Sequence, residues 1–539
     1  MNKGLSYRTG ILKDRLRYDS RIHVLIITLL FLVTRILFLY TTAGRGGDAD
    51  EAVFGMMAQK IAALDEFPLV CWEAHYAGAF VSYMAAIIFY FFGSGFVQLR
   101  IAMLIITLPS VVLFYFIYRK LFDSQRAFIC IILLLFSPYL VFILMISAYG
   151  GYGESFLGIA LIILISWKIK EQSTEKVSCG SLCFLLGMIC GFFTYIQFFV
   201  IPACLAFAFP VLWIHGESRT KSFCYFSLGG LIGLSPLIIY NMMNAGGTLT
   251  RGAARVLLIG RDDISADIIT MVGNVLLEKG AYLTNWLSNA PLMLGRYAMP
   301  SVFGQTLQVV AGLALIVLFS AYIVSSLFNS RRKVSGDFYH RQFAIYLLIF
   351  MLFQWVASLK ADRHFMPLFF VIPIAIFSLA ERYITLRRAS VIIVVVLALL
   401  NVFGWNQEFR TSLFDPHNIV KYMEKKHIRE FYSSYWTGYP IMFLGEGRLV
   451  GSPMLLPYHE PFSDRRPKYT DQVIHAEDAA FVFGIGEEQL KAQFIFFLNN
   501  HQISFQTAQV GGTTIHFQFS TPVGTRISKE KRSNVFFLK

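Results

Sequence analysis

The sequence is short of charge. Asp, Glu, Lys and Arg make up 15% of the 539 residues, whereas hydrophobic residues make up 56%. A soluble domain carries about 25% charged residues. The shortage excludes an ordinary soluble protein and indicates a polytopic membrane protein.

Other absences narrow the function further. All seven cysteines lie between Cys71 and Cys224, so disulfides cannot stabilise the C-terminal part, and no cysteine spacing typical of a zinc site occurs. The stretch "GIGEEQ" (484–489) lacks the third glycine of a dinucleotide-binding fingerprint. There is no repeat of fixed period. The sequence therefore predicts neither a structural metal nor a bound nucleotide.

Long apolar runs fill most of the chain instead. Runs of about 17–25 residues are long enough to cross the hydrocarbon core of a membrane. We interpret eleven runs as spans: 23–41, 97–117, 127–147, 155–169, 178–194, 198–214, 222–240, 300–328, 342–358, 365–380 and 389–406.

Lys and Arg in short loops predict the orientation, because such loops are retained in the cytoplasm. With eleven spans, the basic N-terminus and five basic loops all fall on the cytoplasmic side; these loops are 118–126, 168–176, 215–221, 329–333 and 381–388. The net charge of +14 is therefore explained by membrane retention, and no nucleic acid partner is predicted. We read the first span as retained, since no cleavage site of small residues follows it.

The predicted fold class is an all-α polytopic membrane bundle with a small C-terminal α/β domain outside the cytoplasm. Residues 1–406 form the transmembrane domain and residues 407–539 the outer domain. In the first outer loop, 50–64 is predicted to be an interfacial helix, and 78–93 a second helix that is interfacial or shallowly re-entrant. In the tail, 479–484 and 513–519 are predicted strands, and 487–500 an amphipathic helix.

Polar side chains suited to chemistry gather at four places on the predicted outer side. Each group has a plainer interpretation as well: acids at a helix start can be caps, and outer basic residues can bind lipid headgroups. Arg35, inside the first span, is interpreted as structural, either reaching outward or paired with an acid. The groups are Asp48, Asp50 and Glu51; Glu73, His75 and Tyr76; Glu154; and Lys360, Arg363 and His364.

Together these groups favour glycosyl transfer from a lipid-linked donor. Nucleotide sugars are absent from the outer side of the membrane, whereas a sugar carried on a lipid phosphate is available there. A carboxylate could take the proton of an acceptor hydroxyl. Arg or Lys could stabilise the charge of the departing phosphate, and the forked donors of Arg suit a phosphate best.

Several stretches resemble the GT-C superfamily of membrane glycosyltransferases, in the branch of protein O-mannosyltransferases and the lipid A aminoarabinose transferase. "DEAVFGMMAQKI" resembles the Asp-Glu helix of the first loop, and "HYAGAFVSYMAAIIFYFFG" with "FVQLRI" resembles the second juxtamembrane helix. "AYGGYGES" is similar to a Gly-Gly-Tyr-x-Glu element of a bacterial group, and "DRHFMPLFFVIP" to an Arg-Tyr-(x)-(x)-Pro element with His364 in place of Tyr. The tail stretch "YSSYWTGYPIMFLGEGRLVGSP" also resembles that group.

The resemblance implies an inverting enzyme of a bacterial inner membrane that uses a polyprenyl-phosphate sugar donor and a lipid, glycan or protein acceptor. It places the general base at Asp50, supported by Glu51, and a second acid at Glu154. We expect Glu51 to cap and orient its helix and Arg363 to bind the donor phosphate. The residues predicted to bind substrate are Asp48, His75, Tyr76, Tyr152, Lys360, Arg363 and His364.

Two alternatives and one cofactor stay open. A transporter or lipid flippase would also need many spans and intramembrane charges, although the polar groups cluster at the outer surface and no inverted repeat occurs. A non-catalytic scaffold that presents the tail is the other alternative. No metal ligands are assigned; a divalent metal ion stays open because metal use varies within the superfamily, while residues 79–83 lack the acidic residue or Lys that relatives often carry there.

Overall fold

The computed structural model describes residues 2–42, 46–174, 179–214, 219–248, 302–328, 337–357, 362–381, 386–408, 414–453 and 464–523. The chain divides into two compact units. The first unit comprises Met1–Arg35, Leu104–Ile146 and Gly151–Arg410, and the second comprises Ile36–Met103, Ser147–Gly150 and Thr411–Lys539. The domain boundary at residue 406 stays a prediction; in space, the first outer loop packs in the same unit as the tail.

The first unit is helical. Its described helices, two of which continue into the second unit, are Asn2–Thr42, Phe96–Leu121, Ser124–Leu135, Tyr139–Leu144, Tyr152–Thr174, Gly180–Ile196, Arg219–Met243, Val302–Phe328, Asp337–Val356, Val371–Ala380 and Leu386–Glu408. Between Phe198 and Ile214 the chain forms a helix with one 3₁₀ turn and one π turn.

Four helices of the described chain are long and apolar enough to cross a membrane: Ser20–Thr42, Phe96–Leu121, Tyr152–Thr174 and Arg219–Met243. Shorter apolar helices occupy the other predicted runs, including Gly180–Ile196 and Val371–Ala380. The chain is thus mostly helical with membrane-spanning segments, while the count of eleven stays a prediction.

The predicted span 127–147 is not one helix, because Pro138 interrupts it. Proline lacks an N–H donor and disfavours helical backbone in the residue before it, so carbonyl groups before the break lose their helical partners. Side chains from other helices replace those partners. The bonds are Arg35 Nη1 to the Leu135 carbonyl at 3.0 Å, Asn401 Nδ2 to Phe136 at 2.8 Å and Trp405 Nε1 to Ser137 at 2.8 Å.

Arg35 thus has a structural role, as expected, but it fills that role in neither of the two predicted ways. It is fully buried, and its guanidinium lies over the rings of Phe31 and Phe142 at 4.7 and 4.6 Å. It neither reaches outward nor pairs with an acid among the described residues. A cation in apolar surroundings gains from aromatic faces and carbonyl oxygens, and here both are supplied.

Glycines let two helices of the first unit touch backbone to backbone. A Cβ on Gly187 would meet the Phe226 carbonyl oxygen at 1.9 Å, and a Cβ on Gly233 of the other helix would meet the Met188 carbonyl oxygen at 2.1 Å. This is the close approach that paired small residues four apart permit in membrane helices.

The second unit begins with the two helices that were predicted in the first outer loop, now bounded as Ala49–Ala62 and Phe80–Phe92. Ten of the fourteen residues of the first are buried, so this helix packs against protein on most sides, while its position at a membrane surface stays a prediction. A helix that is apolar on nearly every side seeks burial on every side. The second ends in exposed aromatic rings at Tyr90, Phe91 and Phe92, as suits an interfacial helix.

The tail builds a five-stranded sheet in the order β2-β1-β3-β5-β4. The strands are Glu430–Ser433 (β1), Val450–Ser452 (β2), Ala480–Phe483 (β3), Gln506–Val510 (β4) and Thr513–Phe517 (β5). The first three run parallel, and β5 pairs antiparallel with β3 and β4. The tail helices are Pro416–Lys425, Tyr435–Gly445, Pro467–Ile474 and Glu488–Asn500. The two predicted strands and the predicted helix are confirmed.

Helix Tyr435–Gly445 packs on helix Ala49–Ala62 at a glycine. A Cβ on Gly55 would lie 2.6 Å from the Phe443 ring, so only glycine fits without a shift. Gln59 Nε2 donates to the Phe443 carbonyl at 2.8 Å and fixes the register of the two helices. The tail is thereby attached to the helix that begins with the acidic cluster.

Candidate active site

The acidic cluster forms the start of helix Ala49–Ala62, and its first member is the cap. The Asp48 carboxylate accepts a hydrogen bond from the Asp50 backbone N–H at 2.9 Å, and Asp48 has the extended backbone of an N-cap. The expectation that Glu51 caps this helix was therefore wrong. A Glu three residues after the N-cap can reach back to a backbone N–H, but both carboxylate oxygens of Glu51 accept hydrogen bonds from Arg100 instead.

Glu51 is held in a buried ion pair. Arg100 donates from Nε to Oε1 and from Nη2 to Oε2, both at 2.8 Å, and the two side chains are only 1% and 5% exposed. The guanidinium also lies 5.7 Å from the rings of Phe38 and Phe96. This forked geometry is the strongest that Arg offers a carboxylate, and it fixes the first turn of the helix.

Asp50 meets the tail. Its Oδ1 accepts a hydrogen bond from the Tyr435 hydroxyl at 2.5 Å, and Arg465 Nη2 lies 3.9 Å away. Arg465 also donates to the Tyr435 oxygen and to the Trp72 carbonyl, both at 3.4 Å. The Asp50 side chain is 25% exposed, so an acceptor hydroxyl can still reach the carboxylate.

Tyr435 is placed by the sheet. It is the first residue of the helix that follows β1, after the N-cap Ser434. Ligand sites commonly lie at the carboxyl ends of parallel strands, and this position brings the phenol to Asp50. Burial, followed by the negative charge of Asp50, raises the pKa of Tyr435 far above its ordinary value. The phenol therefore stays protonated and donates throughout the neutral range.

The loop that holds His75 and Tyr76 is tightly turned. Glu73, His75 and Ala77 all have left-handed backbone (φ of 50°, 57° and 61°), a conformation that costs free energy in residues other than glycine. His75 Nε2 lies 3.6 Å from the Glu73 carboxylate, and His75 and Tyr76 are both half-buried.

Cys71 begins the same loop, and its thiol is unreactive. Burial raises the pKa of its thiol to about 12, so it remains a neutral thiol with little reactivity. The loop 71–78 therefore frames the site through its backbone, and Trp72 supplies the carbonyl that Arg465 contacts.

The other predicted residues belong to the first unit. Glu154 is fully buried in the first turn of helix Tyr152–Thr174, and neither carboxylate oxygen has a hydrogen-bond partner among the described residues. Such a group is costly in an apolar interior unless it binds a proton, a cation or a donor from a ligand.

His364 and Arg363 lie near the same end of that helix. They are half-buried within the 3₁₀ helix Asp362–Leu368, and the His364 ring stacks on Tyr152 with 6.4 Å between centroids. Gln354 Nε2 donates to the His364 carbonyl at 2.6 Å. The structure thus brings Tyr152 and His364 together, while Lys360 lies outside the described residues.

A resident metal does not fit the acids of the second unit. Asp48 caps the helix and Glu51 is bound to Arg100, which leaves Asp50 alone of the three. No group of three His, Cys, Asp or Glu side chains in the described chain is arranged to hold a metal ion. Metal sites built on oxygen ligands use several carboxylates or carbonyls together.

Three contacting residues went unrecognised in the sequence. Arg100 stood in the quoted stretch "FVQLRI" as a charge inside a predicted span, and such a charge usually needs a partner, so a pair with Glu51 could have been proposed. Tyr435 and Arg465 carried no comparable signal, because they lie 385 and 415 residues after Asp50.

Comparisons with known proteins agree with the fold. Residues 78–240 match the family model of dolichyl-phosphate-mannose-protein mannosyltransferase. The oligosaccharyltransferase AglB from Archaeoglobus fulgidus, solved with an inhibitory peptide and a dolichol-phosphate, aligns at a TM-score of 0.50 with 12% identity over 88% of this chain and 70% of its own. A structure of the A. fulgidus oligosaccharyltransferase with Zn and sulfate aligns at 0.50, with 14% identity over 92% and 72%.

A further solved structure is ArnT from Cupriavidus metallidurans bound to undecaprenyl phosphate, with a TM-score of 0.44, 12% identity, and coverage of 91% of this chain and 97% of that one. No protein of curated function matches the sequence. The family match and the shared fold confirm the resemblance to the GT-C superfamily that the sequence motifs indicated.

Proposed function

We propose that this chain, a membrane glycosyltransferase of the GT-C superfamily, transfers a sugar with inversion from a polyprenyl-phosphate donor to an acceptor hydroxyl, with Asp50 as general base. The observation that carries the proposal is the partly exposed Asp50 carboxylate, held by Tyr435 and Arg465 at the start of a rigidly anchored helix. The dolichol-phosphate bound to AglB and the dolichyl-phosphate-mannose in the family's description support a lipid-phosphate donor.

The reaction needs one proton transfer and one displacement. The acceptor oxygen attacks the anomeric carbon from the face opposite the phosphate, while Asp50 takes the hydroxyl proton. The bond between the anomeric carbon and the phosphate oxygen breaks, and its electron pair leaves with the lipid phosphate. Attack on the opposite face inverts the anomeric centre.

Arg465 and Tyr435 have a distinct part in this scheme. Both contact Asp50, so they orient one carboxylate oxygen and stabilise its charge before the proton arrives. Each stabilising contact also weakens the base, which makes the balance between orientation and basicity a property of the tail. Glu51 and Arg100 act as positioning residues, because they hold the helix and not the substrate.

Residues of the first unit are assigned to the donor. We propose that Arg363, with Lys360 and His364, binds the departing phosphate, that Glu154 is the second acid of the site, and that Tyr152 binds substrate. His75 and Tyr76 are assigned to the acceptor side, whereas Asp48, which was predicted to bind substrate, is assigned to the helix cap instead. The proposed location is the outer face of a bacterial inner membrane, with the N-terminus cytoplasmic and the tail outside.

The test of the proposal is transfer of a radiolabelled sugar from polyprenyl phosphate to a new glycoconjugate. A positioned base contributes about 100- to 10,000-fold, so Asp50→Asn should reduce turnover by roughly that factor and leave donor affinity nearly unchanged. The matched control is Asp48→Asn, which retains a capping side chain and should change turnover little. If Asp50→Asn retained activity, Asp50 could not be the general base. Transport of the lipid-linked sugar without any transfer would favour the flippase alternative.

The phosphate role of Arg363 has its own signature. Arg363→Ala should weaken both donor binding and rate, because the guanidinium meets the phosphate before and during its departure. Arg363→Lys should restore only part of each, since an ammonium lacks the fork. Donor affinity is measured by titration with the polyprenyl-phosphate sugar, and an unchanged affinity in Arg363→Ala would exclude the assignment.

A further inference from the structure

The second unit contains a cavity that the proposed reaction does not use. It has a volume of about 410 Å³ and lies where the C-terminal end of helix Ala49–Ala62 meets the end of helix Tyr435–Gly445. This is within the usual range of small-molecule sites. The side chains that matter for the argument are Gln59, Lys60, Trp72, Tyr90, Glu446 and Tyr469.

The cavity is separate from the reacting carboxylate. The lining residues of helix Ala49–Ala62 follow Asp50 by six (Met56) to twelve (Ala62) residues, and a rise of 1.5 Å per residue puts them about 9–18 Å from it along the helix axis. A ligand in the cavity would therefore be remote from the hydroxyl that loses its proton.

The charges of the lining disfavour an anionic ligand. Lys60 Nζ is already paired with Asp65 at 2.7 Å, and the Glu446 carboxylate lies in the cavity wall, where it accepts a hydrogen bond from Ser94 Oγ. Gln59 Nε2 lies 3.1 Å from the same Ser94 oxygen. Carboxylate, amide and hydroxyl groups without an unpaired cation suit a neutral ligand rich in hydroxyl groups.

The aromatic side chains of the lining suit the apolar faces of such a ligand. Trp72 and Tyr469 are both held by Arg466, whose guanidinium lies 4.2 and 5.6 Å from the two ring centroids and is paired with Glu66. Rings fixed in advance lose little freedom when a ligand arrives. Tyr90, at the rim, is 74% exposed and packs on no core that its loss would disturb.

We propose that this cavity binds a carbohydrate unit of the acceptor, remote from the hydroxyl that is glycosylated at Asp50. The role as acceptor site rests on the proposed function, whereas carbohydrate binding itself does not. Binding energy from a remote part of a substrate can be used to position its reacting group, so the cavity would select glycan acceptors over a bare hydroxyl.

Binding can be measured without turnover. The full-length protein in detergent is titrated by calorimetry with mannotriose, cellotriose and chitotriose. We expect at least one trisaccharide to bind, Tyr90→Ala to weaken that binding about tenfold, as loss of a stacking ring would, and Glu446→Gln to weaken it as well. Phe92→Ala is the matched control, because Phe92 is 74% exposed on the same helix, does not line the cavity and leaves the edge-to-face contact between the Tyr90 and Phe91 rings in place.

The outcomes separate the two proposals. Asp50→Asn should bind the trisaccharide like the natural chain, so a failure of glycosyl transfer would leave this result standing. No binding of any trisaccharide, or equal losses in Tyr90→Ala and Phe92→Ala, would overturn the cavity's assignment. Lysophosphatidylglycerol is titrated in parallel, and binding of this lipid alone with dependence on Tyr90 would replace the carbohydrate by a lipid headgroup.

Discussion

Asp50 and Glu51 are neighbours in sequence, yet the structure treats the two carboxylates in opposite ways. Glu51 is enclosed with Arg100 at 2.8 Å and is almost inaccessible. Asp50 lies 3.9 Å from Arg465, and a quarter of its side chain is exposed. Both contacts join an acid of the first outer loop to an arginine, but only the first is a closed ion pair.

The difference between the two carboxylates follows from helix geometry. It shows how one helix can both anchor itself in the protein and present a reactive group. Successive side chains point about 100° apart around a helix axis. One direction faces Arg100, Phe38 and Phe96, where apolar surroundings enforce a tight pair. The other faces the tail, where a phenol and a looser arginine leave room for a proton acceptor to work. The buried pair supplies rigidity, and the open contact supplies reactivity.

The largest effect that would test the comparison is on stability. Arg100→Met leaves the Glu51 charge buried without its partner, which should destabilise the protein by about 3–5 kcal/mol, measured as thermal unfolding in detergent. Arg465→Met should cost at most about 1 kcal/mol, because that contact is longer and partly solvated. A greater loss from Arg465→Met than from Arg100→Met would reverse the assignment of the closed and the open contact.

An intermediate effect is expected on catalysis from Tyr435→Phe. A hydrogen bond to a charged group is worth about 1.5–3 kcal/mol, so turnover should fall by roughly 10- to 100-fold. The basic side of the pH–rate profile gives a further readout. Tyr435→Phe should not remove a basic limb from the pH–rate profile, because the raised pKa of Tyr435 keeps its phenol protonated across the working range.

The control for this change is Tyr432→Phe, which removes a phenol that bonds the Val473 carbonyl within the tail. It tests whether loss of a buried tail hydroxyl is enough to lower turnover. Equal falls in turnover in the two variants would show that Tyr435 acts through tail stability and not on Asp50.

The smallest expected effect is at the helix cap. Asp48→Ala removes the side chain that accepts from the Asp50 N–H and should cost about 1 kcal/mol of stability, whereas Asp48→Asn should cost only a few tenths. Thermal unfolding of the two variants measures the difference. A loss from Asp48→Ala as large as that from Arg100→Met would mean that the cap, and not the buried pair, anchors this helix.

Local signals in the sequence determined the membrane class, the helical bundle and the position of the acidic helix. Apolar runs, basic loops and a carboxylate cluster act over a few turns of chain, and each can be recognised without its partners. The strands at 480–483 and 513–517 were likewise evident from their β-branched and aromatic residues. By contrast, the break at Pro138 was overlooked within an apolar run that was otherwise long enough to span.

Only the tertiary structure decided which acid is capped, which is paired and which is left open. Three carboxylates within four residues look alike in sequence, and their fates depend on Arg100, Tyr435 and Arg465, which approach from 49, 385 and 415 residues away. Contacts over such separations arise when two packed surfaces meet, here at Gly55 against Phe443. No local pattern encodes which distant side chain will lie there, because packing of the whole unit sets that choice.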